Sequence, residues 1–125
     1  AKGRLLLVLG APGDRDRSRR PQLGEAASRA DVVILTADDP RSEPVEEICG
    51  QIRAGVEGKH PEIVPDRRAA IGRALDLAQP GDLVLLSGRG DKTQMLTRDG
   101  VTELDERAVV LEYLRRNNNR KRKDA

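Results

Sequence analysis

Aromatic residues are all but missing from this chain: 125 residues contain one tyrosine, no phenylalanine and no tryptophan. A core without rings is built from Leu, Ile, Val and Ala packed between layers, which suits a sheet covered by helices. The shortage also argues against single-stranded nucleic-acid binding, where bases stack on aromatic platforms. Cysteine is nearly as scarce. The lone Cys49 has no internal partner, which excludes a disulfide framework and fits a reducing compartment. It falls in VEEICGQI with Val45, Ile48 and Ile52 at helical spacing and so reads as a small core residue. His60, the single histidine, belongs to no ligand-like cluster. No apolar run approaches the roughly 18–20 residues that span a bilayer, and no charged-then-apolar leader opens the chain. The expectation is a cytoplasmic protein with neither membrane nor nucleic acid as partner.

Charge of one sign is not in excess either, since 23 Lys and Arg face 21 Asp and Glu for a net +2. The balance is uneven along the chain. Residues 115–125 hold six basic side chains and one acid, which leaves the first 114 residues at −3. The basicity therefore belongs to a tail, read as a disordered, solvated end. One domain is expected over residues 4–114. Its first strand begins so close to residue 1 that a domain cut from a longer chain is expected.

What the sequence does hold is a set of short continuous apolar runs. LLLVL (Leu5–Leu9), VVIL (Val32–Leu35) and LVLL (Leu83–Leu86) read as strands buried on both faces, with a weaker EIV at Glu62–Val64. Helical patterns lie between them, over Pro21–Ala30, Pro44–Val56 and Asp66–Gln79, and a last helix capped by Asp105 runs to Leu114. Pro80-Gly81 stops the third helix, and Asp99-Gly100 turns a short hairpin through TQML and VTEL. This alternation predicts an α/β, Rossmann-like, mostly parallel sheet with helices on both faces and right-handed crossovers.

In such a sheet ligands bind outside the carboxyl ends of the strands. The three most polar segments fall there: GAPGDRDRSRRP after the first strand, TADDPRSEP after the second and SGRGDKTQ after Leu83–Leu86. Arg15, Arg17, Arg19, Arg41 and Arg89 offer guanidinium forks for carboxylate or phosphate, and Asp14, Asp16, Asp38, Asp39 and Asp91 offer acids for an ammonium. Both signs together fit a zwitterion such as an amino acid. The nucleotide fingerprints G-x-x-x-x-G-K-[ST] and G-x-G-x-x-G do not occur.

In this order and at these intervals the loops resemble the C-terminal domain of the Mur ligases, nearest to the branch that adds the third residue of the peptidoglycan stem peptide. That domain shows G-x-G-G-D-R-D-x-x-K-R-P-x-M-G, D-N-P-R and G-K-G-H-E motifs, which appear here as GAPGDRDRSRRPQLG, DDPRSEP and GRGDKTQ. PDRRAAIGRAL and LDERAVVLEYL are similar to the family's later helix segments, so the likeness runs from Arg4 to Leu114. The resemblance implies a domain of an ATP-dependent amide ligase that adds an amino acid to a UDP-MurNAc-peptide in cell-wall synthesis. It implies ATP and Mg2+ bound mainly by a central domain of the same chain, no cofactor on this domain, and no catalysis by it alone. Its share would be to bind the incoming amino acid, deliver the amine and exclude water. The residues that match the family's amino-acid contacts are Arg15, Asp38, Asp39, Pro40, Arg41, Gly88 and Lys92, with Arg41 on a substrate carboxylate. Asp39 stands where the family has Asn, an added negative charge that would favour a basic side chain. Lys92 and Asp91 stand where it has Glu and His, which leaves the identity of the amino acid open. A stand-alone Rossmann-like module for a small anion or nucleotide is the alternative.

Overall fold

The structure is a computed structural model that describes residues 3–58, 60–89 and 92–124, the last seven as backbone only. Four parallel strands, β1 (Leu5–Leu9), β2 (Val32–Leu35), β3 (Glu62–Ile63) and β4 (Leu83–Leu86), form one sheet in the order β3-β2-β1-β4. A separate antiparallel hairpin, β5 (Gln94–Thr97) and β6 (Gly100–Glu103), follows. Helices α1 (Arg20–Ala27), α2 (Val45–Arg53), α3 (Arg67–Leu77) and α4 (Glu106–Asp124) complete the domain. Every segment expected from the apolar runs is present, with ends shifted by a few residues except at the last helix.

The strand register sorts the core. Leu9, Val33 and Leu35 face one side, where Ala27 of α1 and Ile48, Cys49 and Ile52 of α2 cover them. Val8 and Ile34 face the other, against Ala70 and Ala74 of α3. Alanine on α3 lets that helix lie close to the sheet, which is how a chain without rings fills the space. Asp66 caps α3 by accepting from the Arg68 amide at 3.2 Å, and Asp105 accepts from the Arg107 amide at 3.1 Å at the start of α4.

Two expectations change. LVLL is not buried on both faces: β4 is an edge strand, and Leu83 and Leu85 remain 63% and 47% exposed while Val84 and Leu86 pack inward. An edge position accounts for this, because α1 and α2 gather over β1 and β2. The final helix does not stop at Leu114 but continues to Asp124. Residues 115–124 contain neither Gly nor Pro to end it, and Arg116 pairs with Glu112 one turn earlier at 2.6 Å. Among the described residues no helix is long and apolar enough to cross a membrane.

Candidate functional site: a cationic cleft at the sheet's carboxyl edge

The chain leaves β1 toward β2 on one side and reaches β4 on the other, so the carboxyl end of β1 is a topological switch point, where a crevice opens. Three loops rim it: residues 10–16 after β1, 36–44 after β2 and, of the loop after β4, the described residues 87–89 and 92–93. They enclose a cleft of about 890 Å³ whose walls include Arg15, Asp16, Arg19, Gln22, Asp39, Arg41 and Lys92.

The first two loops interlock through backbone. Gly13 donates its amide to the Asp39 carbonyl at 3.0 Å, and a Cβ on Gly13 would fall on the Pro40 carbonyl oxygen. Only glycine permits that approach. Asp14 accepts from the Ser42 hydroxyl at 2.6 Å and from the Ser42 amide at 3.2 Å, which holds its carboxyl below the usual aspartate range. Three non-glycine residues take left-handed backbone here, Asp14 (φ 55°), Asp39 (φ 45°) and Arg41 (φ 53°). Such conformations cost of order 1–3 kcal/mol each and persist where the surroundings over-determine them, as at preorganised sites.

Three buried arginines organise these loops. Arg20, 1% exposed, forms a fork with both oxygens of Glu43 at 2.9 Å and also donates to the Pro12 carbonyl at 3.0 Å, joining the first loop to the second. The Arg20 hydrogen bonds, helped by the Asp14 amide, pull the Glu43 carboxyl down to about 2. Arg67 donates to the Ala37 carbonyl at 2.9 Å and the Ser87 carbonyl at 3.1 Å, joining the second loop to the third, and pairs with Glu106 at 2.9 Å. Arg89 donates to the Gln94 and Leu104 carbonyls, both at 3.0 Å, and so fixes the hairpin. Nothing local in the sequence marks Arg20, Arg67 or Glu43 as organisers. The one available signal was opposite charge in successive loops.

The expected site residues divide. Arg15, Asp39, Arg41 and Lys92 line the cleft together; Asp38, Pro40 and Gly88 do not. Asp38 lies beneath, 4% exposed, with its carboxyl raised by burial against the opposing pull of Arg67. Gly88, at φ 103°, sits so near that a Cβ there would come within 2.8 Å of Asp38 Oδ2. Pro40 is buried against Gly13. Arg89, read as a ligand fork, is buried under the loops instead. Asp91 lies outside the described residues.

The two departures from the family pattern meet. Lys92 Nζ stands 3.3 Å from Asp39 Oδ2, while Asp39 Oδ1 accepts from the Leu96 amide at 2.9 Å and faces Arg89 Nη1 at 3.5 Å. Burial works to raise the Asp39 carboxyl, but these partners outweigh it and hold it low. The added negative charge is therefore already taken up within the chain. Arg41 donates through Nη1 to the Gly13 carbonyl at 3.1 Å and faces the cleft. The arrangement can hold an anionic group between guanidinium forks on two loops. No group of three His, Cys, Asp or Glu suited to a metal ion occurs among the described residues.

A family model for the Mur ligase, glutamate ligase domain matches residues 1–90. The UDP-N-acetylmuramoyl-L-alanyl-D-glutamate–2,6-diaminopimelate ligase of Caldanaerobacter subterraneus is 46% identical over 115 residues, covering 90% of this chain and 24% of that protein. The ligase of the same name from Geobacillus kaustophilus is 46% identical over 114 residues, covering 88% and 23%. A solved structure of a ligase of that name superposes with a TM-score of 0.85 at 33% identity, over 92% of this chain and 24% of that one. The chain thus spans about a quarter of the length of the relatives it matches. With the family match covering most of the sequence and the fold shared with a solved ligase, the chain belongs to the Mur ligases, as their C-terminal, glutamate ligase domain.

Proposed function

We propose that this chain is the amino-acid-delivering domain of an ATP-dependent ligase that extends a UDP-MurNAc-peptide by one residue. The observation that carries the reading is the meeting of Arg15 and Arg41, from different loops, across one cleft at the switch point. A carboxylate and an amine do not condense unaided in water, and ATP, with Mg2+, supplies the phosphoryl group that activates the carboxylate. In this reading the activation belongs to the rest of the ligase, of which the chain spans about a quarter. This domain's own residues position the second reactant. Arg41, held by Gly13 and by its strained backbone, clamps a carboxylate of the amino acid, and Arg15 closes on it from the facing loop. Asp39 and Lys92 form the wall between them. Asp38, Pro40 and Gly88 support the loops from behind. With its carboxylate fixed, the amine is presented to the activated acyl group at high effective concentration.

The stand-alone anion or nucleotide module is not favoured by the family match or by the ligase relatives. The test is amino-acid-dependent phosphate release from ATP by the full-length protein supplied with a UDP-MurNAc-dipeptide. Phosphate release is expected only with all three substrates present. Release that ignores the amino acid, or none with any amino acid, rejects the reading.

A further inference from the structure

Two of the cleft's arginines sit at the ends of one contact between loops. The second loop contributes the run Arg41-Ser42-Glu43 and the first contributes Asp14-Arg15. Arg15 and Arg41 line the cleft, and the three residues between them hold the loops together. The grip is reciprocal. The Asp14 carboxylate accepts from the Ser42 hydroxyl at 2.6 Å and the Ser42 amide at 3.2 Å, while the Asp14 amide donates to Glu43 Oε1 at 2.7 Å. Asp14 is thus fixed through both its side chain and its left-handed backbone, one residue before Arg15. The Glu43 amide in turn donates to the Pro40 carbonyl at 3.1 Å, closing the turn that carries Arg41.

Glu43 is the demanding member of this clamp. Its two oxygens receive three N–H donors: Oε1 takes the Asp14 amide and Arg20 Nη2, and Oε2 takes Arg20 Nη1, both arginine contacts at 2.9 Å. An amide in its place would offer one oxygen and turn N–H donors toward the remaining partners. The side chain is buried and does not belong to the cleft wall, so it can act on a ligand only through its neighbours. We infer that Glu43 is a positioning residue of the amino-acid site: with Ser42 it fixes Asp14, and so sets where the Arg15 guanidinium stands relative to that of Arg41. The inference rests on the ligase reading above.

The test is a double-mutant cycle on KM in the full-length ligase. The amino acid is meso-2,6-diaminopimelate, for which the relatives are named, or lysine where the first is not turned over. Glu43→Gln is expected to raise the amino-acid KM at least tenfold, while the KM values for ATP and the UDP-MurNAc-dipeptide stay within twofold. In an Arg15→Ala background the same substitution should add less than threefold, because the group it positions is gone. A general loss of stability would not produce that split or that dependence on Arg15. Should Glu43→Gln fail to fold, Ser42→Ala, at an exposed position of the same clamp, takes its place with an expected rise of threefold or more that vanishes without Arg15. An amino-acid KM that the clamp variant leaves unchanged, or a rise that persists undiminished in Arg15→Ala, overturns the inference while leaving the ligase standing. Absence of turnover with every amino acid removes both.

Discussion

Arg20, Arg67 and Arg89 are the largest fully buried side chains among the described residues. In a chain without Phe or Trp they occupy the volume rings would fill, but burying a guanidinium is costly unless its donors are met. Arg67 finds a partner for each of its nitrogens, while Arg20 Nε and Arg89 Nε and Nη1 stay without a hydrogen-bond partner among the described residues. Arg20 and Arg67 bond carbonyls of the very loops that rim the cleft, and Arg89 ties its own loop to the hairpin through the Gln94 and Leu104 carbonyls, so interior packing and site geometry are one system. Glu43 shows the consequence for pH. Its folded value of about 2 lies below the ordinary 4.5, so its contribution to stability is complete above about pH 4.5 and is lost as the pH falls toward 2. Urea midpoints measured between pH 7 and pH 2.5 should fall over that interval. Glu43→Gln should be less stable at pH 7 and show a flatter profile. Arg41 makes its case in kinetics: Arg41→Ala in the full-length ligase should raise the amino-acid KM tenfold or more, roughly 1.5–3 kcal/mol for a charge-assisted hydrogen bond. An unchanged KM takes Arg41 out of the site. Of the residues singled out by motif, those on the cleft surface were legible because they stand in recognisable strings. Arg89 was misread because its string, GRGD, says nothing of which way the side chain points.

At the scale of elements, the apolar runs gave strand positions to within a residue or two, because a strand buried between helices has no polar positions to blur its ends. They did not distinguish a central strand from an edge. LLLVL and LVLL have the same character, yet Leu6 is fully buried and Leu83 is 63% exposed. Leu6→Ala should accordingly cost about 2–5 kcal/mol through the cavity it leaves. Leu83→Ser should change stability by less than about 1 kcal/mol. Chemical denaturation of the two variants side by side checks both, and equal losses would mean that β4 is covered as β1 is. The last helix shows the opposite limit. Its polar end carries no apolar stripe to announce a helix, but lacks any residue that would stop one, and it continues to Asp124.

For the molecule as a whole, what matters is that three loops separated along the chain arrive at one edge. The parallel topology brings this about, since every strand ends on the same side of the sheet. The cleft so formed presents guanidinium and ammonium donors, and the chain spans about a quarter of the ligases it matches. Supplied with ATP, a UDP-MurNAc-dipeptide and any amino acid, the 125-residue chain alone is expected to form no amide. Product detected by mass spectrometry would assign the activating chemistry to this domain and refute its role as a delivery module.

Local order was written in the sequence: which segments are strands, where helices begin, and which loops carry the Arg and Asp strings. Those properties depend on neighbours a few residues apart, where periodicity and turn chemistry act. The pairing of charges was decided only by the tertiary structure. Arg20 finds Glu43 across 23 positions and Lys92 finds Asp39 across 53, and no spacing rule reaches that far. That pairing determines which charges are spent inside the protein and which remain for a ligand. The loops could thus be named from sequence, while the sign of the cleft between them came from how the sheet brings them together.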